Sequence, residues 1–375
     1  MTLRPLSMAL PALLLAACAS QPPRAEAPAT ATAPTPSTAP ASNTVTERYV
    51  STANPADELD SLATWTSPTG DTWLIASAKS TDQLVVFDAD TGERLRTVGE
   101  PGEAAGRFDR PNGLAVHGDH LFVAERDNHR VQVFALPGFE SLGSFGQDQL
   151  RAPYGLWINE TEPGELEIYV TDSFMYGEHF NVVPPLAELD QRVRRYRVVF
   201  DHLGRPRSHY AGSFGDTGQD SALRVVESIA GDPGGDRLLI ADERFPREDG
   251  RNASTLREYN FKGHYTGRSL PQDAFAAEAE GVALWSCSAT GGYWIAVDQL
   301  APLTMFHLFE RNSLAPAGSF HGAVTAYTDG VALHAASTRE FPGGALFAVH
   351  DDAAVVAFDL ADIARQLGLS TECGG

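Results

Sequence analysis

The chain has 375 residues and a net charge of −21, from 49 acidic against 28 basic residues. That balance excludes a nucleic-acid-binding role, which needs a basic surface. It favours solubility and is compatible with cation binding.

Taken in chain order, residues 1–17 read as a signal peptide. Arg4 precedes an apolar run ending Leu13-Leu14-Leu15-Ala16-Ala17, with small residues before the cut. The run is shorter than the about 20 apolar residues of a membrane-spanning helix. Leu15-Ala16-Ala17-Cys18 resembles the lipobox of bacterial lipoproteins. The resemblance implies a lipidated Cys18 and, with no Asp after it, residence at the outer membrane, held there through the lipid alone. From Gln21 to Asn43 nearly every residue is Ala, Pro, Thr or Ser. Such a stretch cannot bury apolar surface, so residues 18–45 read as the lipidated cysteine and its tether. Residues 46–375 remain for one large all-β domain, expected to be a monomer. With Cys18 lipidated, Cys287 and Cys373 are left as a pair able to form a disulfide in an oxidising compartment.

One phrase recurs six times in that domain: a turn residue, often glycine, then a short apolar strand, a polar loop and a second apolar strand. First strands begin at Ser61-Leu62-Ala63, Gly113-Leu114-Ala115, Gly155-Leu156-Trp157, Ser228-Ile229-Ala230, Gly281-Val282-Ala283 and Gly330-Val331-Ala332. Second strands follow, as in Leu121-Phe122-Val123-Ala124 and Trp294-Ile295-Ala296-Val297, and Gly99, Gly146 and Gly215 close three of the units. Six such units predict a six-bladed β-propeller. The only helical pattern spans Leu360–Leu369. The second unit, from Gly106-Arg107-Phe108 to Val133-Phe134, resembles an NHL repeat, a family of six-bladed propellers that often serve as binding platforms.

Aligning the units on one another selects two rings. The residues just before the first strands are Asp60, Asn112, Tyr154, Glu227, Glu280 and Asp329. In a propeller these positions surround the mouth of the central channel, and four carboxylates there repel one another unless a cation intervenes. Oxygen donors without histidine or cysteine suit calcium. After the second strands come Lys79, Arg126, Ser173, Glu243, Gln299 and Asp351, basic on one side and oxygen-donating on the other. That is the layout for an anionic substrate bridged by metal, although Asp and Asn at such turns also serve merely to cap strands.

With both rings in view, the domain resembles the β-propeller phytases, calcium-dependent phosphatases acting on inositol hexakisphosphate. The resemblance rests on Asp57-Glu58-Leu59-Asp60, Ala78-Lys79, Glu278-Ala279-Glu280-Gly281, Gly292 to Gln299, Thr328-Asp329-Gly330 and Phe341 to Asp351. It implies Ca2+ as cofactor, with Asp60, Glu227, Glu280, Gln299 and Asp329 as metal ligands. It further implies Lys79, Arg126 and Tyr154 as holders of substrate phosphate, and Glu227 and Glu280 as the catalytic candidates. The family's pattern is broken where Ser61, Leu114 and Ala332 replace acids and Ser173 replaces a lysine. The expected function is therefore a phytase-like phosphomonoester hydrolase acting on a phosphorylated small molecule. The rival is a non-catalytic NHL-like propeller that binds a partner at the cell surface, and a lactonase-type single-metal propeller is a third reading. No Gly-x-Ser-x-Gly, His-Glu-x-x-His or P-loop motif occurs.

Overall fold

The structure is a computed structural model that describes residues 43–246, 252–271, 273–370 and 373. The signal peptide, Cys18 and the tether up to residue 42 lie outside the described residues. The described residues form six sheets of consecutive antiparallel strands, arranged as the six blades of a β-propeller. The first strands are Leu59–Thr66, Pro111–His117, Pro153–Glu162, Val226–Asp232, Ala279–Ser286 and Val331–His334. Each second strand is sandwiched between neighbouring blades and is apolar on both faces. In blade 5, for instance, Trp294, Ile295, Ala296 and Val297 have no exposed surface. Apolar side chains gather in six clusters, one at each seam between blades.

The ring of blades closes with the N-terminal segment. Tyr49–Val50 adds the outer strand of blade 6, pairing antiparallel to Ala354–Asp359. Asn43–Thr44 pairs in parallel with the outer strand of blade 5, Pro316–His321, and Val45 is buried beside it. The described strands thus include Asn43–Thr44, inside the stretch that composition assigns to the tether. Asn and Thr carry no apolar signal, and the pairing runs through backbone groups. Between the two short strands, the Glu47 carboxylate accepts hydrogen bonds from the amides of Ala323, Val324 and Thr325 at 3.0, 3.1 and 2.9 Å. At the other end the helix Leu360–Leu367 is capped by Asp359, whose side chain accepts from the Ala361 amide at 2.8 Å. Cys287 and Cys373 are joined in a disulfide that fastens the tail to blade 5.

The hub explains the recurring glycine. In blades 1 to 5 the first strand carries a β-bulge against the second, two residues facing one. The bulged pairs are Asp60-Ser61, Asn112-Gly113, Tyr154-Gly155, Glu227-Ser228 and Glu280-Gly281, and in blade 6 Asp329-Gly330 stands just before the strand. A bulge re-aims a side chain, and here the re-aimed side chain is in every case the ring residue. The small residue after it packs against the next blade's backbone. A Cβ on Gly113 would lie 2.2 Å from the Tyr154 carbonyl oxygen, and one on Gly330 would lie 2.3 Å from that of Asp60. The glycines read in sequence as turn residues are small because the six first strands crowd at the axis.

A second device recurs one strand out. The second strand carries a buried acid in four blades, as its last residue at Glu125, Asp172 and Asp298 and within the longer strand Arg237–Pro246 at Asp242. Each accepts hydrogen bonds from amides of the loop that leads into the first strand. Asp172 takes those of Arg151 and Ala152, Asp242 those of Arg224 and Val225, and Asp298 those of Ala276 and Ala277. Glu125 takes that of Asp109 at 3.3 Å. Three of the four also pair with an arginine of the third strand: Glu125 with Arg130, Asp172 with Arg194, and Asp242 with Arg257.

Removing such an acid leaves a buried guanidinium and two amides without their acceptor. Asp172→Ala is expected to lower unfolding free energy by about 3–5 kcal/mol in urea titrations. Arg207→Ala, which breaks a pair on a 67 % exposed side chain, is expected to cost under about 1 kcal/mol. Gly330→Ala, forced against the Asp60 carbonyl, is expected to cost about 1–3 kcal/mol; an unchanged unfolding midpoint would contradict the crowded hub.

Candidate functional site

The bulges deliver the first ring to the channel mouth, where it divides into two groups. The first is Asp60, Asp329, Lys79 and Gln299. Lys79 Nζ lies 2.8 Å from Asp329 Oδ2 and 3.2 Å from Asp60 Oδ2. Gln299 Nε2 donates to Asp329 Oδ1. Burial opposes the charge on Lys79, yet Asp60 and Asp329 overcome it and hold the ammonium well above its ordinary value. Asp329 is pushed up to about 7 by burial and by Asp60, against the pull of Lys79. Lys79 is thus committed to carboxylates of its own chain.

The second group is Glu227, Glu243 and Glu280. Each offers a carboxylate oxygen, and these oxygens all lie within 4.8 Å of one another. Glu227 and Glu280 are buried, 7 % and 8 % exposed. Burial, followed by the other acids of the mouth, raises both well above the usual carboxylate range. Glu243 is pushed up to about 7 by burial, against hydrogen bonds with Glu280 and Glu227 that lower it. Glu227 Oε2 is buried with no hydrogen-bond partner, as are both amide atoms of Asn112. Three carboxylates sharing one small volume with an orphaned oxygen form a donor set that fits a hard divalent cation.

Tyr154 connects the groups. Its hydroxyl donates to Asp60 Oδ2 at 3.2 Å. Burial raises it well above the usual phenol value, with Asp60, Glu227, Glu280 and Asp329 adding to the effect. The phenol of blade 3 thus reaches a carboxylate of blade 1 across the mouth.

Arg126 stands apart, its guanidinium paired with Asp127 at 2.7 and 2.8 Å. It lines a cleft of about 660 Å³ over blades 2, 3 and 4, together with Tyr154, Ser173, Glu227 and Glu243. The structure therefore does not gather Lys79, Arg126 and Tyr154 into one cation-rich pocket: Lys79 pairs with Asp60 and Asp329, Arg126 lines the cleft, and Tyr154 lines that cleft while its hydroxyl reaches Asp60. Arg151 and Arg244 line the same cleft. Neither is in the sequence-derived rings, since Arg151 precedes its ring residue by three positions and Arg244 follows its own by one.

The five residues expected as one ligand set likewise divide, Asp60, Gln299 and Asp329 around Lys79, and Glu227 with Glu280. Glu243 joins the latter pair, a partner that the second ring had marked only as an oxygen donor. The blade 6 member of that ring needs correction. Asp351 is exposed, whereas Asp352 has a buried Oδ1 without a partner and adds its field at Lys79 and Asp329. Two consecutive residues with positive φ, Asp351 and Asp352, make the turn there, and nothing in the spacing reveals that shift.

These carboxylates predict a pH dependence. A buried acid whose folded value is raised stabilises the fold fully below its unfolded value and loses that contribution as pH rises through the folded one. From unfolded values of 4.5 and 3.8 to folded values of about 7 for Glu243 and Asp329, the chelator-treated protein is expected to lose melting temperature between about pH 5 and 8. Glu280→Gln is expected to flatten that slope; a wild-type melting temperature that rises across the window would contradict the buried triad.

Comparison with known proteins gives the fold and one repeat. The NHL repeat model matches residues 108–134, within blade 2. No curated protein matches the chain. Among solved structures, a catalytically inactive virginiamycin B lyase from Staphylococcus aureus, with quinupristin, is similar at 11 % identity and a TM-score of 0.46, over 82 % of this chain and 97 % of that one. Hydrazine synthase from Kuenenia stuttgartiensis is similar at 14 % identity and a TM-score of 0.42, over 86 % and 82 % of the two chains. The chain is a six-bladed propeller with an NHL repeat in its second blade.

Proposed function

We propose that the protein is a calcium-dependent phosphomonoester hydrolase working at the channel mouth, with a single metal position. The observation that carries this reading is the Glu227, Glu243 and Glu280 triad, whose oxygens converge within 4.8 Å and two of whose members, Glu227 and Glu243, line an arginine-bearing cleft. These three residues would hold the cation, which would polarise a phosphoryl oxygen and acidify water. Arg126, Arg151 and Arg244 are the cleft's positive charges and would orient the anion. Lys79 neutralises Asp60 and Asp329, where a second cation would otherwise be needed, and so restricts the mouth to one metal. Tyr154 is held against Asp60, which positions its ring at the edge of the triad. Export as a lipid-anchored protein belongs to the same reading, and the Cys287–Cys373 disulfide is in keeping with an oxidising compartment.

A second reading is a propeller that binds an anionic ligand without cutting it. It is favoured by the NHL repeat in blade 2 and by the commitment of Lys79 to internal carboxylates. Phosphate release from inositol hexakisphosphate and from simple phosphomonoesters, with calcium and with chelator, separates the two. Calcium-dependent release that falls at least a hundredfold in Glu280→Ala is expected for the hydrolase. Absence of release, with calcium still raising the melting temperature of the wild type and not of Glu280→Ala, would leave the binding propeller.

A further inference from the structure

The cleft above the triad has an annex. A second cavity of about 340 Å³ shares His129, Arg151, Ala152, Met175 and Phe180 with it and extends over Leu150 and Phe174. Its walls are mainly carbon, with His129 and Arg151 as the polar edge. The charged chamber and the apolar chamber are thus continuous, and Arg151 stands at their junction.

The annex is roofed by a short hairpin in the long loop of blade 3. Tyr176 and Val182 pair across its stem, their amides and carbonyls bonded at 2.8 and 3.0 Å. The stem is anchored below by three residues. The Arg151 guanidinium lies 3.8 Å from the centre of the Phe174 ring and 5.2 Å from that of Tyr176. Arg192, buried, donates to the Phe174 carbonyl oxygen at 2.7 Å, and the Tyr176 hydroxyl donates to Glu188. At the tip Phe180 is 77 % exposed and holds a positive φ of 50°. A bulky residue in that backbone region is strained, and a phenyl ring left in water forgoes its burial. An anchored hairpin that presents a solvent-facing ring over an apolar hollow is arranged to close on something apolar.

We infer that the ligand of this cleft is amphiphilic, an organic anion carrying an aromatic or branched aliphatic group. The anionic end faces Arg126, Arg151 and Arg244, and the apolar group enters the annex beneath Phe180. This inference rests on the proposed anion site and narrows its substrate class: a ligand polar on every side, such as an inositol polyphosphate, leaves the annex unused. Phe180 and Met175 then set specificity, and Arg151 measures the distance between the two ends.

Calorimetric titration of the full chain with 1-naphthylphosphonate and with ethylphosphonate, whose P–C bonds a phosphomonoester hydrolase does not cleave, each in calcium and in chelator, tests this. The naphthyl probe is expected to bind about tenfold or more tightly than the ethyl probe, the gain of burying its ring. That preference is expected to shrink in Phe180→Ala and to return in Phe180→Leu; both change an exposed side chain and leave the core untouched. Equal affinity for the two probes, or a preference that survives intact in Phe180→Ala, overturns the annex. Calcium reports separately on the triad. A naphthyl preference that persists in chelator keeps the annex and removes the metal reading, whereas calcium-dependent binding without preference does the reverse. Absence of binding by both probes in every condition overturns both.

Discussion

The molecule depends on how closely six strands can approach one axis. Where Gly113 meets the Tyr154 carbonyl, and Gly330 that of Asp60, there is no space for a Cβ, and each blade places a small residue, Gly or Ser, at the hub. The same crowding throws the preceding residue out of register as the first member of a bulge. That residue cannot pack sideways, and it is turned toward the channel mouth. The ring at the mouth is therefore a by-product of closing the propeller, and its chemistry is free to vary from blade to blade while its position is not.

The buried acids of the second strands keep that position rigid. Asp172, Asp242 and Asp298 hold the amides of the approach loops from below, fixing the backbone two or three residues before each bulge. Precision at the mouth is thus borrowed from a hydrogen-bonded layer that never meets solvent. Within the mouth the electrostatics then divide the ring. One part is neutralised by Lys79, and the other retains three carboxylates that burial pushes toward the protonated state. A set of acids in that condition exchanges protons for a cation with little rearrangement, because the side chains already converge.

Much of this was legible in the sequence because the propeller repeats itself. Six returns of one phrase identify the blades, and aligning them picks out Asp60, Glu227, Glu280 and Asp329 without reference to coordinates. What the alignment misreads, it misreads for physical reasons. The glycines resemble turn residues because smallness at a crowded axis and freedom at a turn select the same amino acid. Glu125, Asp172, Asp242 and Asp298 pass as strand-end polar residues, since an acid buried on amides looks in sequence like one facing water. Asp351 is taken for Asp352 because a turn through two positive φ values alters which of two adjacent acids faces inward. Lys79 appears free because the residues that neutralise it, Asp60 and Asp329, are 19 and 250 positions away. Of the cleft's arginines the alignment selects Arg126 alone, because Arg151 lies on the loop before its first strand and Arg244 stands one position past its ring residue.

The N-terminal segment has a mechanical meaning. The chain reaches blade 5 first, at Asn43–Thr44, and only afterwards supplies the strand Tyr49–Val50 that closes blade 6. Between them Glu47 grips three amides of residues 323–325. A pull on the chain ahead of Asn43 is therefore borne by the rim of blade 5 and by the Glu47 clasp before any load reaches the seam that keeps the ring shut. The disulfide from Cys373 reinforces that same blade. The closing strand is shielded behind a strain relief, as a cable is clamped ahead of its solder joint.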